Sequence, residues 1–396
     1  YQSDLVDNTR LSLAGGNRRV VAYLPTGGGK TRTAAAIIFM ALAKARKVAF
    51  VANRKQLVLQ TSAVLDGLGI KHGILQADNT RNLDARVLVA SIDTVHLRGL
   101  PDDISLIIID ECHSVAGSAK LKQIMFSRNL VPVIGLTATP FAAGMGKHYD
   151  KLGGALFEDL IIGATVPDLI ADGHLVDCDI YAPSDPDLKG VRSSKSIDGE
   201  TDFCQSDLAK AVDKPSLIGD IRDHWFRLAK DKQTVVFATD IPHSKHIVET
   251  FQAAGVAAEH IDYRMDDDER AAILERFANS ATTVLSNCAL LSEGWDCPTA
   301  EVMILARPTR SLIRYIQMVG RVLRPAPGKE RALLLDHSGS TARLGHPCDD
   351  LPLALDDGKP KTSSGKRAER PESLPKKCAK CSLMKPAKVH KCPACG

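Results

Sequence analysis

The sequence predicts an α/β protein: two tandem domains, each a doubly wound parallel sheet, followed by a small C-terminal zinc ribbon. Three observations carry this. The first half of the chain alternates short segments rich in Val, Ile and Leu with helical stretches. The same alternation restarts after about Tyr181, and the chain ends on two Cys-x-x-Cys pairs.

The apolar segments are 19–24, 47–52, 86–90, 105–109 and 132–136 in the first half, and 234–238, 282–286, 301–305 and 331–336 in the second. They are short and do not alternate polar with apolar residues. That pattern suits strands of a parallel sheet covered on both faces. Residues 33–46 are rich in Ala and lack Gly and Pro, which favours a helix. Residues 266–278 read as a helix whose acidic first turn complements the helix dipole. Two such αβ runs imply two doubly wound domains. The segment from Phe141 to about Pro186 is expected to link them, with 166–171 helical, and 184–202 has loop composition. The expected boundaries are 1–175 and 176–345 for the two domains, 346–375 for a flexible linker rich in Pro, Lys, Asp and Ser, and 376–396 for the cysteine module.

The 396 residues are 44% hydrophobic and 25% charged, the profile of a globular protein, and no apolar run is long enough to span a membrane. Nothing at the N-terminus resembles a signal peptide. The chain does not open with methionine, so a few leading residues are expected to be missing. A net charge of +4 neither requires nor excludes a nucleic-acid partner, and aromatics at 5% argue against a strand gripped mainly by base stacking. Of the ten cysteines, Cys112, Cys178, Cys204, Cys288, Cys297 and Cys348 are scattered, and the other four cluster. This is expected of a reducing, cytoplasmic protein with one metal site.

The first candidate site is Pro25-Thr26-Gly27-Gly28-Gly29-Lys30-Thr31, between an expected strand and an expected helix. Successive glycines let backbone N–H groups wrap a phosphate, and a helix N-terminus adds a favourable dipole. Lys30 would reach the β- and γ-phosphates of ATP, and Thr31 would bind Mg2+. Leu24 stands where the strict pattern has its first glycine. The plainer reading is a glycine-rich turn. The second candidate is Asp110-Glu111 at the end of the strand 105–109, where open α/β sheets collect ligands. Asp110 would hold Mg2+ and Glu111 would polarise an attacking water. Taken alone, the pair would equally suit a solvated strand end.

With these motifs in place the chain resembles the DExH-box branch of the superfamily 2 helicases over roughly residues 1–345. Asp110-Glu111-Cys112-His113 matches its acidic signature, and Tyr1-Gln2 resembles the end of the adenine-reading motif. Residues 51–54 and 90–94 resemble two strand-contacting loops. Gly135-Leu136-Thr137-Ala138-Thr139-Pro140 matches the Thr-Ala-Thr motif, 291–298 resembles motif V, and 315–325 matches motif VI. The resemblance implies two RecA-like domains with ATP hydrolysed in the cleft between them. It implies nucleotide contacts from Gln2, Asp296 and Gln317, and phosphate contacts from Thr94, Thr137 and Thr139. Asp296 would position Arg324 or touch the ribose. Arg321 and Arg324, three apart on an expected helix, would share a face and act as arginine fingers. Taken alone they would be ordinary surface charge. His113 would either link the nucleotide site to the second domain or bond locally. Trp295 reads as core packing. The other histidines, including His243 and His246, show no acidic or cysteine partners at ligand spacing and read as structural.

Cys378-x-x-Cys381 and Cys392-x-x-Cys395 have the spacing of a closed tetrahedral Zn2+ site, with Gly396 allowing the second knuckle its turn. Lys376, Lys377, Lys380, Lys385, Lys388 and Lys391 surround it. Such a knob suits phosphate binding, a solvated face or protein docking. With this tail the chain also resembles the RadD-like bacterial repair helicases. The expected activity is that of an ATP-dependent helicase or translocase on nucleic acid, with DNA favoured over RNA. The expected protein is a monomer in the cytoplasm of a bacterium or phage-infected cell, with a protein partner possible through the zinc ribbon. The rivals are an RNA helicase and a nucleotide-dependent clamp that remodels a protein.

Overall fold

The computed structural model describes residues 1–195, 201–291, 295, 297–359, 374–385 and 389–396. The chain divides into two compact units. One holds Tyr1–Thr165 and the segment beginning at Leu351; the other holds Val166–Ser196, Thr201–Asp350 and the cysteine tail. The first boundary therefore falls ten residues before the expected one, at 165/166. No helix among the described residues is long and apolar enough to cross a membrane.

The first unit is built on a seven-stranded sheet. Its strands are β1 (Arg19–Tyr23), β2 (Val48–Ala52), β3 (Gly73–Leu75), β4 (Val87–Ser91), β5 (Leu106–Ile109), β6 (Val133–Thr137) and β7 (Asp159–Ile162). They lie in the order β3-β4-β2-β5-β6-β1-β7, and every pairing is parallel. Parallel order requires crossovers, and the helices Lys30–Ala43, Lys55–Gly67, Ile92–Arg98 and Ala119–Ser127 lie between successive strands. The central strands are buried along their whole length, which explains why they read as unbroken apolar runs. β6 sits between β1 and β5. That order brings the ends of three motif-bearing strands together.

The second unit repeats the plan with six strands: β8 (Cys178–Tyr181), β9 (Thr234–Ala238), β10 (Ala258–Ile261), β11 (Val284–Cys288), β12 (Val302–Leu305) and β13 (Ala332–Asp336). Their order is β8-β13-β12-β9-β11-β10, again all parallel. Its core packs Trp225 edge-on to Phe251, beneath Val236, Ile247 and Ile304, and the Trp225 indole N–H donates to Thr234 Oγ1.

Several segments depart from expectation. Residues 141–186 are more than a link, because β7 and β8 within them complete the two sheets. Both strands are short and partly exposed, so their apolar signal is weak. β3 and β10 were hidden for the same reason: three and four residues carry little periodicity. Within 184–202, Ser193–Lys195 pairs antiparallel with Thr201–Phe203. This hairpin is anchored by Asp202, which accepts from Thr309 Oγ1 at 3.0 Å, Arg310 N at 2.8 Å and Arg314 Nη1 at 2.6 Å. The expected linker is also held over its first part. Gly144 N–H donates to Asp356 Oδ1 at 2.8 Å, and Gly146 N–H to the Asp356 carbonyl at 2.7 Å. Loop composition reports backbone freedom in isolation and does not exclude such tertiary anchors.

Candidate nucleotide site and cysteine centre

In the first unit the polar groups gather at the C-terminal edge of the sheet. After β1 the chain turns through 24–29 and enters the helix Lys30–Ala43. Gly28 N–H donates to the Pro25 carbonyl at 2.9 Å, closing the turn. Gly27 and Gly29 take φ of 88° and 86°, conformations that exclude most side chains. A Cβ at Gly29 would displace the Gln2 side-chain amide, which lies against the loop. Gln2 opens the helix Gln2–Ala14, and its amide donates to the carbonyls of Gly28 and Gly29, each at 3.3 Å. The Tyr1 hydroxyl donates to Gly28 O at 3.1 Å. Tyr1 and Gln2 thus brace the loop from outside. This role was not legible, because nothing local in the sequence couples residues so far apart. Thr26 is buried, and Lys30 and Thr31 are half-buried in the first helical turn.

The carboxylates follow β5. Asp110 is buried and its Oδ1 accepts from Glu111 N–H at 3.0 Å. Glu111 has φ 47° and ψ 50°, a left-handed conformation that costs a non-glycine residue about 1–2 kcal/mol. Its two oxygens face two bases: Oε1 lies 3.8 Å from Lys30 Nζ, and Oε2 lies 3.3 Å from His113 Nδ1. Burial, reinforced by the Glu111 charge, pushes the Asp110 carboxyl up to about 7, while Lys30 pulls it back. A buried carboxyl so disfavoured as an anion is one that a cation would stabilise. Asp110 with the Thr31 hydroxyl offers the oxygen donors that Mg2+ prefers.

His113 also lies 3.1 Å from the Thr137 hydroxyl, which accepts from Thr139 N–H at 3.0 Å. Leu24 N–H donates to the Thr137 carbonyl. Thr137 therefore joins the carboxylates to the phosphate loop, as the place of β6 between β1 and β5 allows. His113 makes these bonds within its own unit. The hydroxyls of Thr94, Thr137 and Thr139, expected to contact phosphate, have local partners in the structure. All three are buried, and Thr94 Oγ1 pairs with Ser91 and accepts from Ala77 N–H. A hydroxyl at a buried strand end satisfies the local backbone first.

In the second unit Gln317 is buried in the helix Leu312–Val319. Arg321 and Arg324 are not on that helix. It ends at Gly320, and the chain continues in tight turns, with Arg321 N–H donating to Met318 O and Val322 N–H to Val319 O. Pro325, which drives the residue before it out of the helical region, bars the helix from resuming through Arg324. The buried Arg321 donates through Nη1 to Trp295 O at 2.8 Å, and Trp295 packs against Phe277 with ring centroids 5.9 Å apart. Arg324 is half-buried, and burial alone pulls its pKa down. Asp296 lies outside the described residues.

In the tail, the ligand atoms of Cys378, Cys381, Cys392 and Cys395 all lie within 4.8 Å of one another. The Sγ–Sγ separations are 3.6 Å for Cys378 and Cys395 and 3.5 Å for Cys381 and Cys392. Tetrahedral zinc with Zn–S bonds near 2.3 Å requires an edge of about 3.8 Å, so the donor set fits Zn2+. The residue after each knuckle turns left-handed, Ser382 at φ 66° and Gly396 at φ 84°. The tail is docked: Leu383 bridges Tyr181 of β8, Ala182 N–H donates to Ser382 O, and Lys377 Nζ donates to Pro183 O. Lys376, Lys377, Lys380 and Lys391 are exposed; Lys388 lies outside the described residues.

The reading of the remaining histidines as lacking partners is corrected in five places, two of them His72 beside Asp66 at 3.8 Å and His148 beside Asp150 at 3.6 Å. His246 pairs with Asp213 at 2.9 Å, His260 with Asp262 at 2.8 Å, and His346 lies beside Cys348 and Cys178. Only Asp213 is brought to its histidine from afar by folding, 33 residues along the chain; the His260-Ile261-Asp262 and His346-Pro347-Cys348 spacings were both visible in the sequence.

Comparison with known proteins is consistent with this geometry. The family described as type III restriction enzyme, res subunit, matches residues 1–142, and the helicase conserved C-terminal domain matches residues 214–326. A 51.5 kDa protein of Lactococcus phage (isolate 7-9) is 27% identical over 94% of this chain and 76% of its own length. The Saccharomyces cerevisiae protein named as ATP-dependent helicase IRC3 is 28% identical over 86% of this chain. This chain spans about half, 51%, of that protein's length. Among solved structures, a fragment of an HsdR subunit of a type I restriction enzyme from Vibrio vulnificus YJ016 superposes with a TM-score of 0.67 at 20% identity, covering 91% of this chain and 67% of that one. That likeness establishes the fold, two RecA-like domains.

Proposed function

We propose that this chain, which belongs to the superfamily 2 helicases, is an ATP-driven motor that translocates on or unwinds DNA. The observation that carries the reading is the convergence of Lys30, Asp110, Glu111 and His113 at one sheet edge, directly behind a glycine loop whose backbone is shaped for phosphate. DNA is supported by the match of residues 1–142 to a restriction-enzyme subunit family, since restriction enzymes cut DNA.

In this reading the N–H groups of Gly27, Gly28 and Gly29 cradle the phosphates of ATP, with Thr26 beside them and Gln2 and Tyr1 fixing the loop's shape. Lys30 leaves its 3.8 Å pairing with Glu111 to meet the β- and γ-phosphates. Glu111, freed of that charge, orients and accepts a proton from the attacking water, and His113 holds its other oxygen. Thr31 and Asp110 would hold Mg2+, which would supply Lewis-acid neutralisation of the charge that develops on the phosphates. Arg324 supplies the remaining cation at the γ-phosphate. Arg321, already donating to Trp295 O, fixes the backbone at Trp295. Gln317 and Asp296 complete the nucleotide contacts. The domains are proposed as 1–165 and 166–350, with the segment beginning at Leu351 returning to the first and a zinc-binding tail on the second. Zn2+ in the tail would be structural, held by Cys378, Cys381, Cys392 and Cys395, and the exposed lysines around it make a phosphate-binding face.

The test is ATP turnover by the purified chain with single-stranded DNA, duplex DNA, RNA or no polynucleotide. Stimulation by DNA, weakened by salt as phosphate contacts require, is expected. Stimulation by RNA alone would reassign the track. Equal turnover with no polynucleotide, and no salt-sensitive binding, would leave a protein-remodelling clamp.

A further inference from the structure

Cys178, His346 and Cys348 form a second cluster of metal-ligating groups, distinct from the tail. Cys178 begins the edge strand β8, and His346-Pro347-Cys348 follows the short helix Ser340–Leu344. The two cysteines are 170 residues apart in sequence, yet their sulfurs lie 3.6 Å apart. Both are buried, and His346 is half-buried. The imidazole folds back over its own turn, with Nδ1 3.3 Å from Cys348 N. One ligand atom from each of the three residues falls within 4.8 Å of the others, the same compactness found for the four tail thiols.

We propose that Cys178, His346 and Cys348 bind a second thiophilic divalent cation of the zinc class. The 3.6 Å sulfur separation equals that of Cys378 and Cys395 and lies close to the roughly 3.8 Å edge of a zinc–thiolate tetrahedron. Two sulfurs and an imidazole nitrogen are donors that select zinc over Mg2+ or Ca2+. The neighbouring Asp177 is paired with Arg331 at 2.9 Å, so the fourth position falls to water. Binding releases the thiol protons to solvent and involves no change of oxidation state. The location gives the site a structural purpose. β8 is an edge strand, paired on one side only, with β13. At its far end, Leu383 of the tail bridges Tyr181. A cation at Cys178 would pin the near end to the chain just before Leu351, where the backbone leaves for the other unit. Each end of one short strand would then be tied to a C-terminal segment by a thiolate centre.

The test is metal analysis of the full chain by inductively coupled plasma mass spectrometry. About two equivalents of zinc per chain are expected. A variant with all four tail cysteines replaced by serine should keep about one, and adding Cys178→Ser and Cys348→Ser should remove it. Because those cysteines are buried and their loss also perturbs packing, His346→Ala and His346→Cys are compared as well: the first should lose one equivalent and the second should retain it. In Co2+-loaded tail variant, thiolate-to-cobalt charge-transfer absorption should appear, and Cys178 and Cys348 should resist alkylation until the metal is stripped. The proposal is overturned if the tail variant is metal-free, if its Cys178 and Cys348 alkylate as readily before stripping as after, or if mass spectrometry of the native chain finds them joined as a disulfide.

Discussion

His113 Nδ1 lies 3.1 Å from the Thr137 hydroxyl and 3.3 Å from Glu111 Oε2. One imidazole thus contacts the carboxylate assigned to the attacking water and the residue whose carbonyl receives the Leu24 N–H at the start of the phosphate loop. His113→Ala should leave ATP affinity within a few-fold and lower turnover, chiefly by reducing the stimulation that DNA gives. Steady-state ATPase assays with and without DNA check this. Unchanged stimulation would reduce His113 to a packing residue.

Lys30 Nζ lies 3.8 Å from Glu111 Oε1, and the proposed mechanism gives the two residues different jobs. Lys30→Ala should weaken nucleotide binding and turnover together. Glu111→Gln keeps size and should bind ATP normally while turnover falls by roughly 10²–10⁴. Fluorescent-nucleotide titration alongside phosphate release distinguishes the two, and near-normal turnover in Glu111→Gln would remove it from the mechanism.

Arg321 and Arg324 should also separate. Arg324→Ala should preserve ATP affinity and reduce turnover by about 10³-fold or more, as loss of an arginine finger does. If affinity collapses instead, Arg324 is a binding residue. Arg321→Ala leaves the Trp295 carbonyl without a charged donor, which should destabilise the protein by roughly 1–3 kcal/mol. Thermal denaturation of Arg321→Ala and Arg324→Ala side by side reports that difference, with the larger fall in Tm expected for Arg321→Ala.

Acid sensitivity should originate in part at His243. Burial holds its pKa down to about 4, against an unfolded value near 6.5. Between those values the unfolded chain binds more protons than the folded one, so stability falls as pH drops from 6.5 towards 4 and is restored above 6.5. Replacing His243 by Gln should remove roughly 2–3 kcal/mol of the stability difference between pH 7 and pH 4.5. Denaturant unfolding at the two pH values measures it, and an unaltered difference would assign the acid slope to other groups.

Much of this protein is determined by short stretches of sequence. Buried parallel strands must be apolar on both faces, so β1, β2, β5 and β6 are legible as unbroken runs. A loop that wraps phosphate must have glycines, and a closed zinc site needs two thiol pairs at knuckle spacing. Motif order then revealed that two such domains share one activity. Tertiary structure decided what depends on residues meeting from afar. Only the strand order places β6, and with it Thr137, between β1 and β5. Only folding brings Gln2 to Gly29, stops the motif VI helix at Gly320 ahead of Pro325, returns Asp356 to Gly144, and sets Cys178 beside Cys348. Periodicity and spacing encode what a residue does to its near neighbours along the chain; contacts across 170 residues come from packing, and a single sequence has no local pattern that records them.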